Sequence, residues 1–158
     1  MLEEGMIIKP WETSRFSCKK ALIGMIMDAD APENNIYFDV GDITRMEVDA
    51  IVNAANKSLP GVDDVDGAIH RAAGSELFEK CCRLGGCVAG ETKITRGGRL
   101  KAKYVIHTVS LKYRPNDSKY AELLRDCYIS SSDLARHMAC TALLFWQSLN
   151  TRNVWRRL

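Results

Sequence analysis

The chain has no apolar run that approaches the roughly 20 residues of a membrane-spanning helix. Its longest such stretch, around Thr141 to Trp146, is far shorter, so the chain reads as soluble with no membrane partner. It also lacks an excess of one charge. A formal net charge of +2 with interspersed signs offers no broad basic face, which leaves no basis for direct nucleic-acid binding through bulk electrostatics but keeps small anionic ligands open. Six cysteines are present, Cys18, Cys81, Cys82, Cys87, Cys127 and Cys140, without the paired spacing of a zinc site. No charged-then-apolar signal segment precedes them, so reduced thiols in a cytoplasmic or nuclear protein are expected. There is no internal repeat and no low-complexity tract.

What is there suits a globular domain able to bury a core: 158 residues, 46% hydrophobic and 27% charged. Residues 1 to about 35 show no clean period and read as a variable lead-in with one short helix, the main domain running from 36 to 158. Strands are expected at Ile36–Val40 and at Asp49–Val52, the second closing at Asn53. A helix follows with Asp66 as its cap and Ile69, Ala72 and Ala73 on one face. A second helix over Ser75–Leu84 breaks at Gly85-Gly86. Strands at Thr92–Thr95 and Tyr104–Val109, a helix over Asp117–Met138 and a strand at Thr141–Trp146 complete the pattern. The alternation predicts an α/β fold with a mostly parallel central sheet.

The segment Phe38 to Gly74 carries the most information. Two apolar runs end in small and amide residues, then a glycine-containing loop leads through Val65-Asp66-Gly67 into a helix. Backbone N–H groups and a helix N-terminus directed at one crevice make a phosphate site without a metal, so a nucleotide or a sugar phosphate is the expected ligand. Asp42, just past a strand, is either a ligand contact or a turn aspartate satisfying its own backbone. Asn53 and Asn56 offer donors and acceptors suited to sugar hydroxyls, or form a turn. Asp66 is a helix cap needing no function or a carboxylate that orders a water. Cys81 and Cys82 fall late in a helix, where the dipole disfavours a thiolate, and His70 and His107 read as packing residues rather than bases. No Ser-His-Asp arrangement or metal-ligand set appears.

GDIT at Gly41–Thr44, VDAIVNAAN at Val48–Asn56, VDGAIHRAAG at Val65–Gly74 and AKYVIHTV at Ala102–Val109 together resemble a macrodomain of the MacroD type, in the family's order and spacing. The similarity runs from about Tyr37 to Tyr128 and is weaker beyond. The resemblance implies a three-layer α/β sandwich that binds ADP-ribose. It also implies hydrolysis of its esters, on mono-ADP-ribosylated proteins and in O-acetyl-ADP-ribose, with no cofactor and no metal. It places Asp42 at the adenine amine with Ile43 beside it, Asn53 and Asn56 at the distal ribose, and Asp66 as the catalytic carboxylate. Gly61, Val65, Gly67, Ala68 and Ile69 would surround the pyrophosphate. Water would be activated by Asp66 or by the substrate's own phosphate.

Two stretches depart from that pattern. Where the family carries a glycine run, this chain has Pro60-Gly61-Val62-Asp63-Asp64, and a carboxylate about 5 Å from a phosphate would cost on the order of 3 kcal/mol at an effective dielectric near 20. At the other departure, ALLFWQSLNTRN at Ala142–Asn153 resembles the strand leading to the family's phosphate loop, with Thr151 retained and Arg152 in place of the first glycine. The helix and strand that follow in the family are absent from the chain, so a central strand is expected to lose its neighbour. Both departures fall on the phosphate side, and together they imply reduced affinity. A non-catalytic ADP-ribose reader and an inactive truncated product are the alternatives.

Overall fold

Residues Ala50 to Asn53 are all buried, and a strand can hide both of its faces only between two covering layers. In the computed structural model, which describes residues 22–26, 36–39, 41–59, 64–109 and 118–146, that strand lies inside a sheet of six. The strands are β1 (Leu22–Ile26), β2 (Ile36–Asp39), β3 (Ala50–Ala54), β4 (Thr92–Arg96), β5 (Tyr104–Thr108) and β6 (Ala142–Trp146). Their order is β2-β1-β6-β3-β5-β4. The centre is parallel: β3 pairs with β5 from Ala50↔Tyr104 and with β6 from Ala50↔Leu143. Antiparallel pairs flank it, β4 on β5, β1 on β6 and β2 on β1. Since β2 and β6 both run opposite to β1, four of the six strands point the same way, and the expected mixed, mostly parallel sheet is what forms.

Among the described residues, three α-helices supply the outer layers: α1 (Asp64–Ala73), α2 (Ser75–Arg83) and α3 (Ser118–His137). Alternate strand residues point to opposite faces. Ile51, Val105 and Leu144 accordingly pack with Ile69 of α1 and with Leu77 and Cys81 of α2. Ala50, Val52, Ile106, Leu143 and Phe145 pack on the other face with Ala135, and the Tyr128 ring of α3 lies 4.8 Å from that of Phe145. Each large aliphatic side chain buried this way contributes about 1.5–3 kcal/mol. Gly74 joins α1 to α2 at φ +90°, a left-handed conformation that glycine adopts without strain, and its N–H closes α1 on the carbonyl of His70 at 3.0 Å.

Two expectations are overturned. Residues 22–26 form a strand of the sheet rather than part of a variable lead-in outside it. Strand β6 has a neighbour on each side, β3 and β1, so the central strand does not lose its partner. A smaller difference lies at the start of α1, which begins at Asp64 rather than after Asp66.

The starts of β3, β5 and β6 are tied together by one carboxylate. Asp49 Oδ2 accepts from the Thr141 N–H (3.0 Å), the Thr141 hydroxyl (2.9 Å) and the Ala142 N–H (3.1 Å), while Oδ1 accepts from Lys103 Nζ at 2.6 Å. A depression of about 590 Å³ lies at this edge, lined by residues including Glu47, Asp49, Lys101 and Lys103. Its charges are paired with one another, Glu47 with Lys101 and Asp49 with Lys103. Lys103 and the Thr141 and Ala142 donors hold the Asp49 carboxyl well below its ordinary value of 3.8. A lowered folded-state pKa means that this stabilisation is complete above that value and is lost as the pH falls below it. Asp49→Ala should therefore cost about 2 kcal/mol at pH 7, read from urea unfolding. Lys103→Ala, which removes a lysine whose side chain is 70% exposed, should cost less than about 1 kcal/mol. Equal losses in the two variants would show that the strand-start donors contribute nothing.

Candidate functional site

At the opposite edge, where β3 and β5 end, the buried face of the sheet turns polar. Asn53 follows Ile51 on the face covered by α1, and the register sets His107 beside it on β5. Both are wholly buried. Helix α1 lays the Asp66 side chain, 5% exposed, over this pair. Asn53 Nδ2 donates to Asp66 Oδ1 at 2.7 Å and lies 3.2 Å from His107 Nδ1. Behind His107, its Nε2 is 3.0 Å from the Thr95 hydroxyl of β4 and 3.5 Å from the Cys81 thiol of α2. His70, one turn after Asp66, brings Nε2 to 3.4 Å from Asp66 Oδ1 without the alignment of a hydrogen bond. The His70 ring packs edge-on against Phe78 at 6.3 Å.

Buried polar atoms are normally paired, and an exception marks a place for a partner. Among the described residues, Asn53 Oδ1 and Asp66 Oδ2 have none. They belong to two side chains already hydrogen-bonded to each other, at the start of a helix and at the carboxyl ends of parallel strands, where α/β folds bind their ligands.

Burial, with the neighbouring His70 adding to it and Asp66 opposing it, lowers the His107 pKa from 6.5 to about 4. The ring is neutral at pH 7. Burial pushes the Cys81 thiol up to about 12, and the nearby Asp66 adds to the shift. That thiol is protonated and inert, whereas Cys82 on the same helix is exposed. Of the two helix cysteines read as core or surface thiols, Cys81 is the core one and Cys82 the surface one.

The structure sorts the expected site residues. Asp66 is the third residue of α1 rather than its cap, and its side chain turns inward instead of bonding the helix's free N–H groups. Because a helix from Asp64 leaves only the N–H groups of its first turn without an intrahelical partner, those of Val65 and Asp66 have no acceptor among the described residues of the helix. Ala68 and Ile69 spend theirs on the carbonyls one turn back inside the helix, which corrects for these two the expectation that they present N–H groups to a pyrophosphate; the residue one turn before Gly67 lies outside the described residues. Ile69 is instead a wholly buried core residue. Asn53 and Asn56 are not brought together. Asn53 lies within β3 and points into the cluster, while Asn56 is exposed and its carbonyl accepts from the Leu59 N–H at 2.9 Å.

Asp42 caps the 3-10 turn Ile43–Arg45 through Oδ1, which accepts from the Thr44 N–H at 3.0 Å and from its hydroxyl at 2.7 Å. This is the turn aspartate, with Oδ2 left beside Arg45. Ile43 turns its side chain into the core with Ile51, Val65 and Ile69. Gly61, Val62, Asp63, Thr151 and Arg152 lie outside the described residues. The sequence reading gave Thr95 no part and assigned His70 and His107 to packing. Both histidines are buried as expected, but their nitrogens meet the Asn53–Asp66 pair. The one available signal was the position of Asn53 and His107 near the ends of two expected strands.

A buried pair of unfilled acceptors beside a helix start defines a site for a ligand bearing hydroxyls and an anionic group. Residues 52–147 match the Macro domain, and the chain belongs to that family, as the resemblance of its motifs implied. It is 60% identical over 96 residues to the ADP-ribose glycohydrolase MACROD1 of Mus musculus, covering 60% of this chain and 29% of that protein. It is 54% identical over 106 residues to the O-acetyl-ADP-ribose deacetylase of Citrobacter rodentium, covering 65% of this chain and 60% of that one. The solved Oceanobacillus iheyensis macrodomain with ADP is similar at a TM-score of 0.65 and 35% identity, covering 75% of this chain and 65% of that chain. The chain thus spans less than two thirds of the length of each of these three proteins.

The depressed His107 pKa has a consequence for stability. The unfolded chain takes up a proton near pH 6.5 that the folded one refuses until about pH 4, so stability falls as the pH drops through that window. The full loss is on the order of 3 kcal/mol. Urea unfolding at pH 7 and pH 4.5 should show a shallower fall for His107→Asn than for the unmodified chain, and identical falls would exclude His107 as the titrating group. Brief iodoacetamide treatment of the folded protein, read by tandem mass spectrometry, should modify Cys82 and leave Cys81 free. Equal labelling would contradict the burial of Cys81.

Proposed function

We propose that this protein binds ADP-ribose and hydrolyses its esters, releasing ADP-ribose from acidic side chains of mono-ADP-ribosylated proteins or from O-acetyl-ADP-ribose. The observation that carries this reading is the pair of buried acceptors, Asn53 Oδ1 and Asp66 Oδ2, without partners among the described residues. In this reading Asn53 Oδ1 accepts a hydroxyl of the distal ribose. The N–H groups of Val65 and Asp66, at the positive end of α1, meet the pyrophosphate. Asp42 keeps one carboxylate oxygen for the adenine amine, its other being used by the turn.

Asp66 suits the role of general base for a physical reason. Asn53 occupies Oδ1 and fixes the carboxylate plane, which leaves Oδ2 to take a proton from a water that attacks the ester carbonyl carbon. The bond from that carbon to the ribose oxygen then breaks, and the oxygen leaves as a hydroxyl. The Citrobacter relative carries a name that states hydrolysis of an ADP-ribose ester, and MACROD1 one that states a hydrolase acting on ADP-ribose, both more than half identical to this chain over the matched regions.

The test joins binding to turnover. Calorimetry with ADP-ribose should give a measurable affinity, and a glutamate-modified protein should lose ADP-ribose on incubation. Asp66→Asn, which keeps the shape and the Asn53 contact, should slow release by about a hundredfold or more while ADP-ribose still binds. No heat at millimolar ADP-ribose would overturn the reading. Binding without release from either ester would reduce it to a reader module.

A further inference from the structure

We infer that His107 is a positioning residue that sets the orientation of the Asn53 amide, so that Asn53 presents its oxygen, and not its NH2 group, to the ligand. The inference deepens the ADP-ribose reading and rests on it for the identity of the ligand. The amide's geometry stands apart from that reading.

The amide orientation follows from its neighbours. A carboxylate oxygen can only accept, so the Asn53 atom 2.7 Å from Asp66 Oδ1 has to be the nitrogen. That NH2 group carries a second hydrogen, and the only other contact it makes among the described residues is His107 Nδ1 at 3.2 Å. His107 Nδ1 must then be a bare lone pair, which places the ring proton on Nε2. There it finds the Thr95 hydroxyl at 3.0 Å, with the Cys81 thiol at 3.5 Å as a second neighbour.

A relay of hydrogen bonds thus runs Asp66, Asn53, His107, Thr95 through four separate elements, α1, β3, β5 and β4. Both amide hydrogens are consumed inside the protein. The one polar atom of Asn53 left over is Oδ1, buried and unpartnered. A side chain held at two points cannot swing about a single hydrogen bond, and the site is thereby set to receive a hydroxyl donor. The buried face of β5 supplies His107 at the register position opposite Asn53. A leucine there would fill similar space but offer no acceptor.

The experiment compares two variants against two ligands. His107→Asn places its amide oxygen close to where Nδ1 sits and keeps the acceptor, whereas His107→Leu removes it, and both lose the contact to Thr95. ADP lacks the distal ribose. His107→Leu should weaken ADP-ribose binding about tenfold with ADP changed less than about twofold, lower kcat for ester release, and show normal cooperative unfolding. His107→Asn should restore ADP-ribose affinity to within about threefold of the original. A loss shared equally between ADP and ADP-ribose, or an Asn variant no better than Leu, would overturn the inference.

A ligand-free measurement separates it from the functional reading. Long-range proton–nitrogen spectra of the imidazole should show His107 neutral with its proton on Nε2 at pH 7, and a proton on Nδ1 would refute the relay whatever the protein binds. If the unmodified chain binds ADP-ribose no more tightly than ADP, the distal-ribose assignment falls, and this spectrum still decides the orientation of Asn53.

Discussion

The hydrogen bond from Asn53 to Asp66 joins a strand to a helix between two buried side chains. Neither group could be buried alone, because an unpaired carboxylate in an apolar interior costs several kcal/mol. Together they satisfy each other by one atom apiece and leave one atom apiece unfilled. The layers around them keep that arrangement in place. Ile51 and Val105 precede Asn53 and His107 on the same face of their strands, and Ile69 and Leu77 close over them from α1 and α2. The apolar packing acts as the mould in which a small polar assembly is cast.

The two edges of the sheet do opposite things with charge. Where β3, β5 and β6 start, Asp49 is saturated by donors from two other segments, and the lysines nearby are matched to acids. This is electrostatics spent on holding strands in register. Where β3 and β5 end, the polar groups are under-supplied with partners, and the positive end of α1 begins there. Proteins concentrate incomplete satisfaction where a ligand will complete it. Leu59, a wholly buried leucine, stands at φ +73°. For a non-glycine residue that conformation costs of order 1–3 kcal/mol, and the buried side chain holds it.

Much of this was legible in the sequence, and what was not has physical reasons. The elements from Ala50 onward carry clear periods, so the strands at Thr92 and Tyr104 and the long helix from Ser118 fall within a residue or two of expectation. Asp66 was singled out but placed wrongly in its helix, because a one-dimensional pattern cannot tell an aspartate that caps from one inside the first turn. Asn53 and Asn56 looked like partners, yet Asn53 lies inside β3 and is buried, whereas Asn56 falls past the strand's end and is exposed. The share of His107, Thr95 and Cys81 in the site was invisible, since each occupies an ordinary core position and only folding brings β5, β4 and α2 together. Strand β1 gave no alternating signal of its own. It owes its conformation to strands on either side, one of them far along the chain.

That last pairing bears on how the chain reaches its structure. Leu22 is opposite Trp146 and Ile26 opposite Ala142, so the sheet contains contacts between segments more than a hundred residues apart. Closing so long a loop is entropically expensive, and such contacts form late. During synthesis β1 can reach β2, but β6 has not yet been made, and the edge it will cover stays open until more than a hundred further residues have emerged from the ribosome. A bare strand edge invites pairing with another nascent chain. The order in which the polypeptide is made thus sets the interval in which it is most prone to aggregate, and a chaperone that shields β1 until β6 emerges would act at that interval.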